Sequence, residues 1–207
     1  MTERKKLGKY TAKRSFEKSP EPAGKKGRRG GKEPVFVIQE HDATNRHFDF
    51  RIECDGVLKS WSVPKGLSTD PRDKRLAIPT EDHPLEYADF EGTIPEDEYG
   101  GGAVIVWDRG VYENLAEEDG KPVPVAEGLE KGHISVRLEG EKLRGGYALI
   151  RKEDTSDSVW FVLKMKDEGA DARRNPVSTQ PKSVLSGETV EEVSRDKSRE
   201  RQEGKDE

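Results

Sequence analysis

From residue 34 onward, apolar positions come in short bursts that alternate with polar ones. "VFVIQE" (35–40) is apolar and β-branched. "RHFDFRIE" (46–53) alternates strictly, with Phe48, Phe50 and Ile52 on one face and His47, Asp49, Arg51 and Glu53 on the other. "CDG" turns into a further strand, "VLKSWSVP". The same reading predicts strands over 74–80, 87–92, 133–140, 147–153 and 159–166, and a hairpin over 102–114 that turns at Asp108-Arg109-Gly110. No segment keeps a 3.6-residue apolar period over three turns. "PEDEYG" (95–100) reads as one helical turn and 186–199 as a short helix. About eight closely spaced strands with Gly and Pro between them indicate an all-β chain, either an antiparallel sandwich or a closed barrel.

Composition bounds the rest. Hydrophobic residues make up 30% of the 207 positions and charged residues 38%, which predicts a modest core with disordered ends. The expected organisation is a basic arm and linker over 1–33, a β domain over 34–168, and a polar, disordered tail over 169–207. "SPEPAGKKGRRGGKEP" (19–34) reads as flexible linker. The net charge of −5 hides an asymmetry: residues 1–32 carry 12 Lys/Arg against 3 Asp/Glu. A basic arm suits nucleic acid, because phosphate neutralisation releases counterions without needing a fold. An acidic middle argues against a broad basic DNA-binding face and is compatible with a cation-binding cleft. No run of about 18 apolar residues is present, and "MTERKKLGKY" lacks the apolar stretch of a secretory signal. These features predict a cytoplasmic, nucleoid-associated monomer with no membrane partner. The lone cysteine, Cys54, reads as a small buried hydrophobe.

Candidate chemistry concentrates in two stretches. In a strand, residues two apart share a face, so His47, Asp49 and Arg51 project together. His41 ends the preceding strand, and the compact "DATN" turn returns it toward His47. Two imidazoles and a carboxylate without thiolate favour Mn²⁺, Zn²⁺ or Fe²⁺ at a site with open positions. Arg51 beside such a cluster is a phosphate clamp. In the second stretch (75–102), His83 precedes Pro84 in an extended loop and is a candidate general acid or phosphate ligand. Tyr87 is a candidate phenolic donor to the same oxyanion, and Lys65 and Arg75, at strand ends, are candidate phosphate contacts. Trp61 reads as core, and His133 as structural.

"FVIQEHDATNRHFDFRIECDGVLKSWSVPKG" followed by "RLAIPTEDHPLEYADFEGTIPEDEYGGGAVIVWDRG" resembles the 3′-phosphoesterase domain of bacterial and archaeal DNA ligase D, over roughly residues 6–166. The length leaves no room for a ligase or polymerase domain, so the resemblance is to a stand-alone member. It implies a compact β-barrel with a divalent metal, typically Mn²⁺ (with Zn²⁺ or Co²⁺ as alternatives), in a crescent-shaped groove. It also implies healing of DNA 3′ ends on primer-templates, including ribonucleotide-terminated ones: a terminal ribonucleoside is removed, then the 3′-phosphate. A separate DNA ligase or end-joining proteins would be the partners. By motif, His41, His47 and Asp49 match metal ligands, and Arg51, His83 and Tyr87 match residues around the scissile phosphate. Lys65, Arg75, Glu81 and Gln39 match supporting positions. "YTAKRSFEKSPEP" matches Arg14 and Glu21 to the family pattern, with Ser15 where the family has an acidic residue. Two rival readings predict different chemistry. One is an iron(II) dioxygenase that takes His133 as third ligand, and the other a non-catalytic nucleic-acid end-binding module.

Overall fold

The computed structural model describes residues 6–24, 33–152 and 159–195. Its strands are β1 (Val35–Asp42), β2 (His47–Cys54), β3 (Val57–Val63), β4 (Lys74–Pro79), β5 (Gly92–Ile94), β6 (Gly102–Asn114), β7 (Glu117–Glu118), β8 (Lys121–Pro122), β9 (His133–Gly140), β10 (Arg144–Arg151) and β11 (Trp160–Lys164). Eight of them close an antiparallel barrel in the order β1-β2-β3-β4-β11-β10-β9-β6, with β6 pairing back to β1. The all-β expectation holds, and the barrel alternative is the correct one. Short helices α1 (Gly8–Ala12), α2 (Val125–Lys131) and α3 (Pro176–Thr179), a 3-10 helix (Leu85–Asp89) and a helical segment over 190–195 decorate it.

Strand parity builds two cores rather than one. The inward face of β2 sends Phe48, Phe50 and Ile52 into the barrel, where they meet Phe36, Ile38, Trp61, Trp107, Tyr147 and Trp160. Trp61 is therefore core, as its place in an alternating strand suggests. Outside the wall, Val37, Leu58, Val104 and Val106 pack under the 3-10 helix and α1, with Tyr10, Leu85, Tyr87 and Phe90. Strand β1 is consequently buried on both faces over six consecutive residues. Each fully buried Phe or Leu contributes about 1.5–3 kcal/mol, so the outer layer is a substantial second core and not a loose covering.

Two predicted elements differ. Residues 87–92 are not a strand. Pro84 caps a 3-10 turn, with Tyr87 N donating to Pro84 O (2.9 Å) and Phe90 N to Tyr87 O (3.1 Å). Residues 102–114 form one continuous strand instead of a hairpin. A bulge lies immediately before the Asp-Arg-Gly triplet: Ile38 pairs with Asp108 but Gln39 with Val106, so Trp107 is the extra residue. The bulge turns Asp108 inward, where its carboxylate accepts backbone N–H bonds from Arg109, Glu141, Lys142 and Leu143 at 2.9–3.0 Å. Gly110 is needed for closeness, since a Cβ there would lie 2.0 Å from the Glu139 carbonyl oxygen. Helix α2, only seven residues long, is too short to show a sustained helical period and ends on left-handed Gly132 (φ 84°).

The expected disordered tail is corrected over 169–195. Trp107 Nε1 and Lys142 Nζ both donate to the Gln180 carbonyl (2.9 Å each), and Lys142 also donates to Lys182 O. Val190, fully buried, packs on Ala103 and Ile105 within a helical turn over 190–195, inside the predicted 186–199 span. Residues 196–207 lie outside the described residues, as does 25–32 of the predicted linker. Its first part, Ser19 and Glu21, is buried. Polar composition misleads here because a few carbonyls and scattered valines (Val177, Val184, Val190 and Val193) dock the segment, and neither signal is an apolar run. Within the described residues no helix is long and apolar enough to cross a membrane.

The Asp108 hub makes a direct prediction. Asp108→Ala leaves four amides at the barrel end without their acceptor, and should cost at least about 3 kcal/mol in urea unfolding.

Candidate metal and phosphate site

The β1–β2 register sets the site. Residues 43–46 turn the chain so that His41 pairs directly with His47, Gln39 with Asp49, and Val37 with Arg51. The imidazole rings lie 4.8 Å apart between centroids. His47 Nε2 is 3.6 Å from Asp49 Oδ1, and His41 Nδ1 is 3.9 Å from Asp49 Oδ2. One ligand atom from each of the three residues falls within 4.8 Å of the others. All three project from the outer face of the barrel wall, opposite Phe48 and Phe50.

The donor set fits a divalent cation. His47 Nδ1 sits 2.8 Å from the Asn45 carbonyl, which only accepts, so Nδ1 carries the proton and Nε2 presents its lone pair toward Asp49. His41 Nε2 is buried without a hydrogen-bond partner. Burial lowers the His41 pKa, against the opposing pull of Asp49, so this imidazole is neutral and free to ligate.

Arg51 stands behind the cluster, 3% exposed. Its Nη2 donates to Asp49 Oδ2 (2.9 Å), its Nε to Gln39 Oε1 (2.8 Å), and its Nη1 faces His83 Nδ1 (2.9 Å). Its guanidinium lies 4.9 Å above the Tyr87 ring. Gln39 spends its amide protons on the carbonyls of Tyr87 and Phe90 (3.0 Å each), tying the 3-10 helix to the same arginine. Two guanidinium N–H groups are committed, to Gln39 and Asp49, and the others remain for a ligand.

His83 is placed by backbone bonds to Leu58 (2.8 and 3.0 Å) and is enclosed by cations. Its Nδ1 meets Arg51 and the Glu81 carbonyl (2.8 Å), while its Nε2 meets Arg14 Nη2 at 3.2 Å. Burial, followed by the charges of Arg51 and Arg14, pushes its pKa well below 6.5. The side chain is therefore neutral: Nδ1 carries the proton that the Glu81 carbonyl accepts, Nε2 accepts from Arg14, and Arg51 Nη1 packs against the Nδ1 edge.

The N-terminal arm closes the site from above. Arg14 Nε donates to Glu21 Oε1 (2.8 Å) and Nη1 to Glu81 Oε1 (2.8 Å). The Tyr87 hydroxyl donates to Glu21 Oε1 (3.0 Å), and Ser19 Oγ to Glu21 Oε2 (2.8 Å). Burial works against the Glu81 carboxylate, yet the bonds from Arg14, its own backbone and Lys13 outweigh it and hold its pKa down.

Arg14, His41, His47, Asp49, Arg51, Glu81, His83 and Tyr87 thus line one cavity of about 350 Å³. Gln39 and Glu21 brace it from behind. Three expectations change. Tyr87 lines the cavity with its ring, because its hydroxyl is held by Glu21 rather than turned to a substrate oxyanion. Arg75 lies elsewhere: it pairs with Asp73 (2.8 Å) and lines a separate cleft with Thr69 and Arg174 that shares no lining residue with the first. Lys65 is exposed just after β3 and is not a lining residue. His133, exposed at the head of β9 and 3.4 Å from Ser135, does not join the three-residue cluster, so the dioxygenase triad is not assembled among the described residues.

Sequence reasoning did not single out Tyr10, Lys13 or Tyr99. Tyr10 is fully buried, with Arg14 stacked 3.9 Å over its ring and its hydroxyl on the Pro22 carbonyl (2.7 Å). Lys13 Nζ bridges Glu81 Oε2 and Tyr99 Oη at 3.0 Å each. The signal for Tyr10 and Lys13 was the "YTAKR" string that carried Arg14; Tyr99 had only its place in a glycine-rich loop. Ser15 is half-buried, and its carbonyl accepts from Lys18 and Ser19 N–H, which holds the turn leading to Glu21.

Residues 39–151 match the family described as the DNA ligase D 3′-phosphoesterase domain. The chain is 48% identical, over 194 residues and 92% of its length, to the multifunctional non-homologous end joining protein LigD of Pseudomonas aeruginosa, covering 22% of that protein. It is 44% identical over 162 residues to the LigD DNA repair protein of Mycobacterium tuberculosis, and 44% over 167 residues to LigD of Mycolicibacterium smegmatis. Those matches cover 78% and 79% of this chain, and 20% and 21% of the relatives. The chain thus spans about a fifth of the relatives it matches, and that fifth carries the assembled His41–His47–Asp49 cluster: the chain belongs to the DNA ligase D 3′-phosphoesterase domain family.

Proposed function

We propose that the protein is a metal-dependent phosphoesterase that heals DNA 3′ ends, first releasing a 3′-terminal ribonucleoside and then the 3′-phosphate, to leave a 3′-OH for ligation. The observation that carries this reading is the convergence of a three-ligand cation cluster and two immobilised arginines on one small cavity. His41, His47 and Asp49 would hold the cation, with Mn²⁺ first and Zn²⁺ or Co²⁺ as alternatives for a nitrogen-and-oxygen donor set. When bound, it polarises a phosphoryl oxygen.

The chain's own groups do the positioning. The N–H groups left on Arg51 and Arg14 would take the remaining phosphate oxygens, and little side-chain entropy is lost on binding because both forks are already fixed. His83, neutral between two guanidiniums, accepts from Arg14 at Nε2, and its one ring proton is held by the Glu81 carbonyl, so it is not an imidazolium acid for the leaving oxygen. Glu21 orients Tyr87 and Arg14 together. DNA ends approaching the cavity meet the basic arm, and a separate ligase or end-joining protein would take over the product. A protein that binds 3′ ends in a salt-sensitive way but releases no phosphate would be the non-catalytic alternative.

Asp49→Ala should reduce Mn²⁺-dependent phosphate release from a 3′-phosphorylated primer-template by at least about 100-fold. The same change should remove the rise in melting temperature that Mn²⁺ gives the wild-type protein. Full activity of this variant in metal-defined buffer would exclude the metal assignment. For His83, the prediction concerns pH. A residue already neutral well below its usual pKa gives no falling limb in phosphate release between pH 6.5 and 8. A fall through that range that vanishes in His83→Gln would instead identify His83 as the acid.

A further inference from the structure

A second cavity, of about 470 Å³, adjoins the first. The two share the side chains of Ala43 and Ile94 as a common wall. The loop 95–102 divides them further: Tyr99 and Gly100 face the metal side, Glu96 and Gly102 the other. That partition is fixed in place. Gly102 has φ 139°, and a Cβ on it would fall 2.2 Å from the Asp42 carbonyl oxygen, so the loop lies directly against the end of β1.

The two cavities differ in charge. The metal side sets Arg14 and Arg51 beside its carboxylates; the second is lined by Asp42, Glu96, Thr44, Thr93 and Ser194, with no Lys, Arg or His among the described residues. Two carboxylates repel phosphate, so neither the primer strand nor a second phosphate is suited to it. An uncharged group carrying several O–H or N–H donors is. A volume of this size lies within the roughly 300–1,000 Å³ range of small-ligand pockets.

The geometry points to this second cavity as the seat of the leaving nucleoside, an inference that rests on the phosphoesterase reading. A 3′-terminal nucleoside is the one part of the substrate beyond the scissile phosphate that bears no further charge. In the step concerned, a water oxygen bonds to phosphorus, the P–O5′ bond to the terminal nucleoside breaks, and a water proton ends on O5′. The released nucleoside needs a place beside the phosphate and apart from the anionic primer. Asp42 and Glu96 would accept from its sugar hydroxyls or base amino groups.

The second reaction, hydrolysis of a 3′-phosphate, has no such group to seat, and this separates the two activities. Thr44→Trp and Glu96→Trp would fill the cavity from two different loops. Both should slow nucleoside release from a primer ending in ribonucleotides by about ten-fold or more, because remote contacts on the leaving group are lost. Phosphate release from a 3′-phosphorylated primer should stay within about two-fold of wild type. If both variants slow the two reactions alike, or neither reaction changes, the pocket assignment is overturned. Wild-type protein that releases phosphate but no nucleoside also overturns it, leaving a phosphomonoesterase. Wild-type protein inactive on both substrates overturns the phosphoesterase reading itself.

Discussion

The guanidinium of Arg51 is the point on which the rest of the site depends. Removing a cation and a carboxylate from water costs several kcal/mol each, and the pair is tolerated only when further hydrogen bonds complete the geometry. Asp49 and Gln39 supply those bonds, and His83 and the Tyr87 ring pack against the guanidinium. Each of these partners belongs to a different element, so one arginine fixes β1, β2, the loop after β4 and the 3-10 helix relative to one another. A cation in the His41–His47–Asp49 cluster would sit against an acid whose other side is already neutralised.

The site lies on the outside of a barrel, and this determines its construction. The interior is packed with aromatic and aliphatic side chains, and the polar residues of the site face the other way. A polar outer face would ordinarily be solvated, but here α1, the 3-10 helix and the 95–102 loop cover it, supported by their own apolar layer. The Glu21–Arg14–Glu81–Lys13 chain of ion pairs holds the arm on that layer. The basic arm is therefore not simply a tether for nucleic acid, since its described part forms one wall of the cavity.

How much was legible in the sequence follows from which interactions are local. Period-two alternation exposes the shared face of His47, Asp49 and Arg51, and a four-residue turn returns His41 to it, so the cluster could be read from nine residues. The Asp108 bulge could not, because Asp-Arg-Gly spells a turn unless one knows that three amides of the β9–β10 turn await the carboxylate. Nor could the docking of 169–195, which depends on Trp107 and Lys142 reaching backbone carbonyls. Arg75 shows the limit of carrying roles by motif: the string matches, yet the side chain turns to Asp73 in another cleft. Tyr87 shows a subtler one, for it is in the right place with its hydroxyl already committed to Glu21.

The account holds that one centre performs two successive hydrolyses, and an intermediate is the evidence for that. A 5′-labelled primer-template ending in ribonucleotides, incubated with the protein and Mn²⁺ and sampled over time on a sequencing gel, tests it most directly. The predicted result is a shortened strand ending in a 3′-phosphate that rises first and then converts to the 3′-OH strand. An unchanged primer, or a 3′-OH product formed with no 3′-phosphate preceding it, would contradict it.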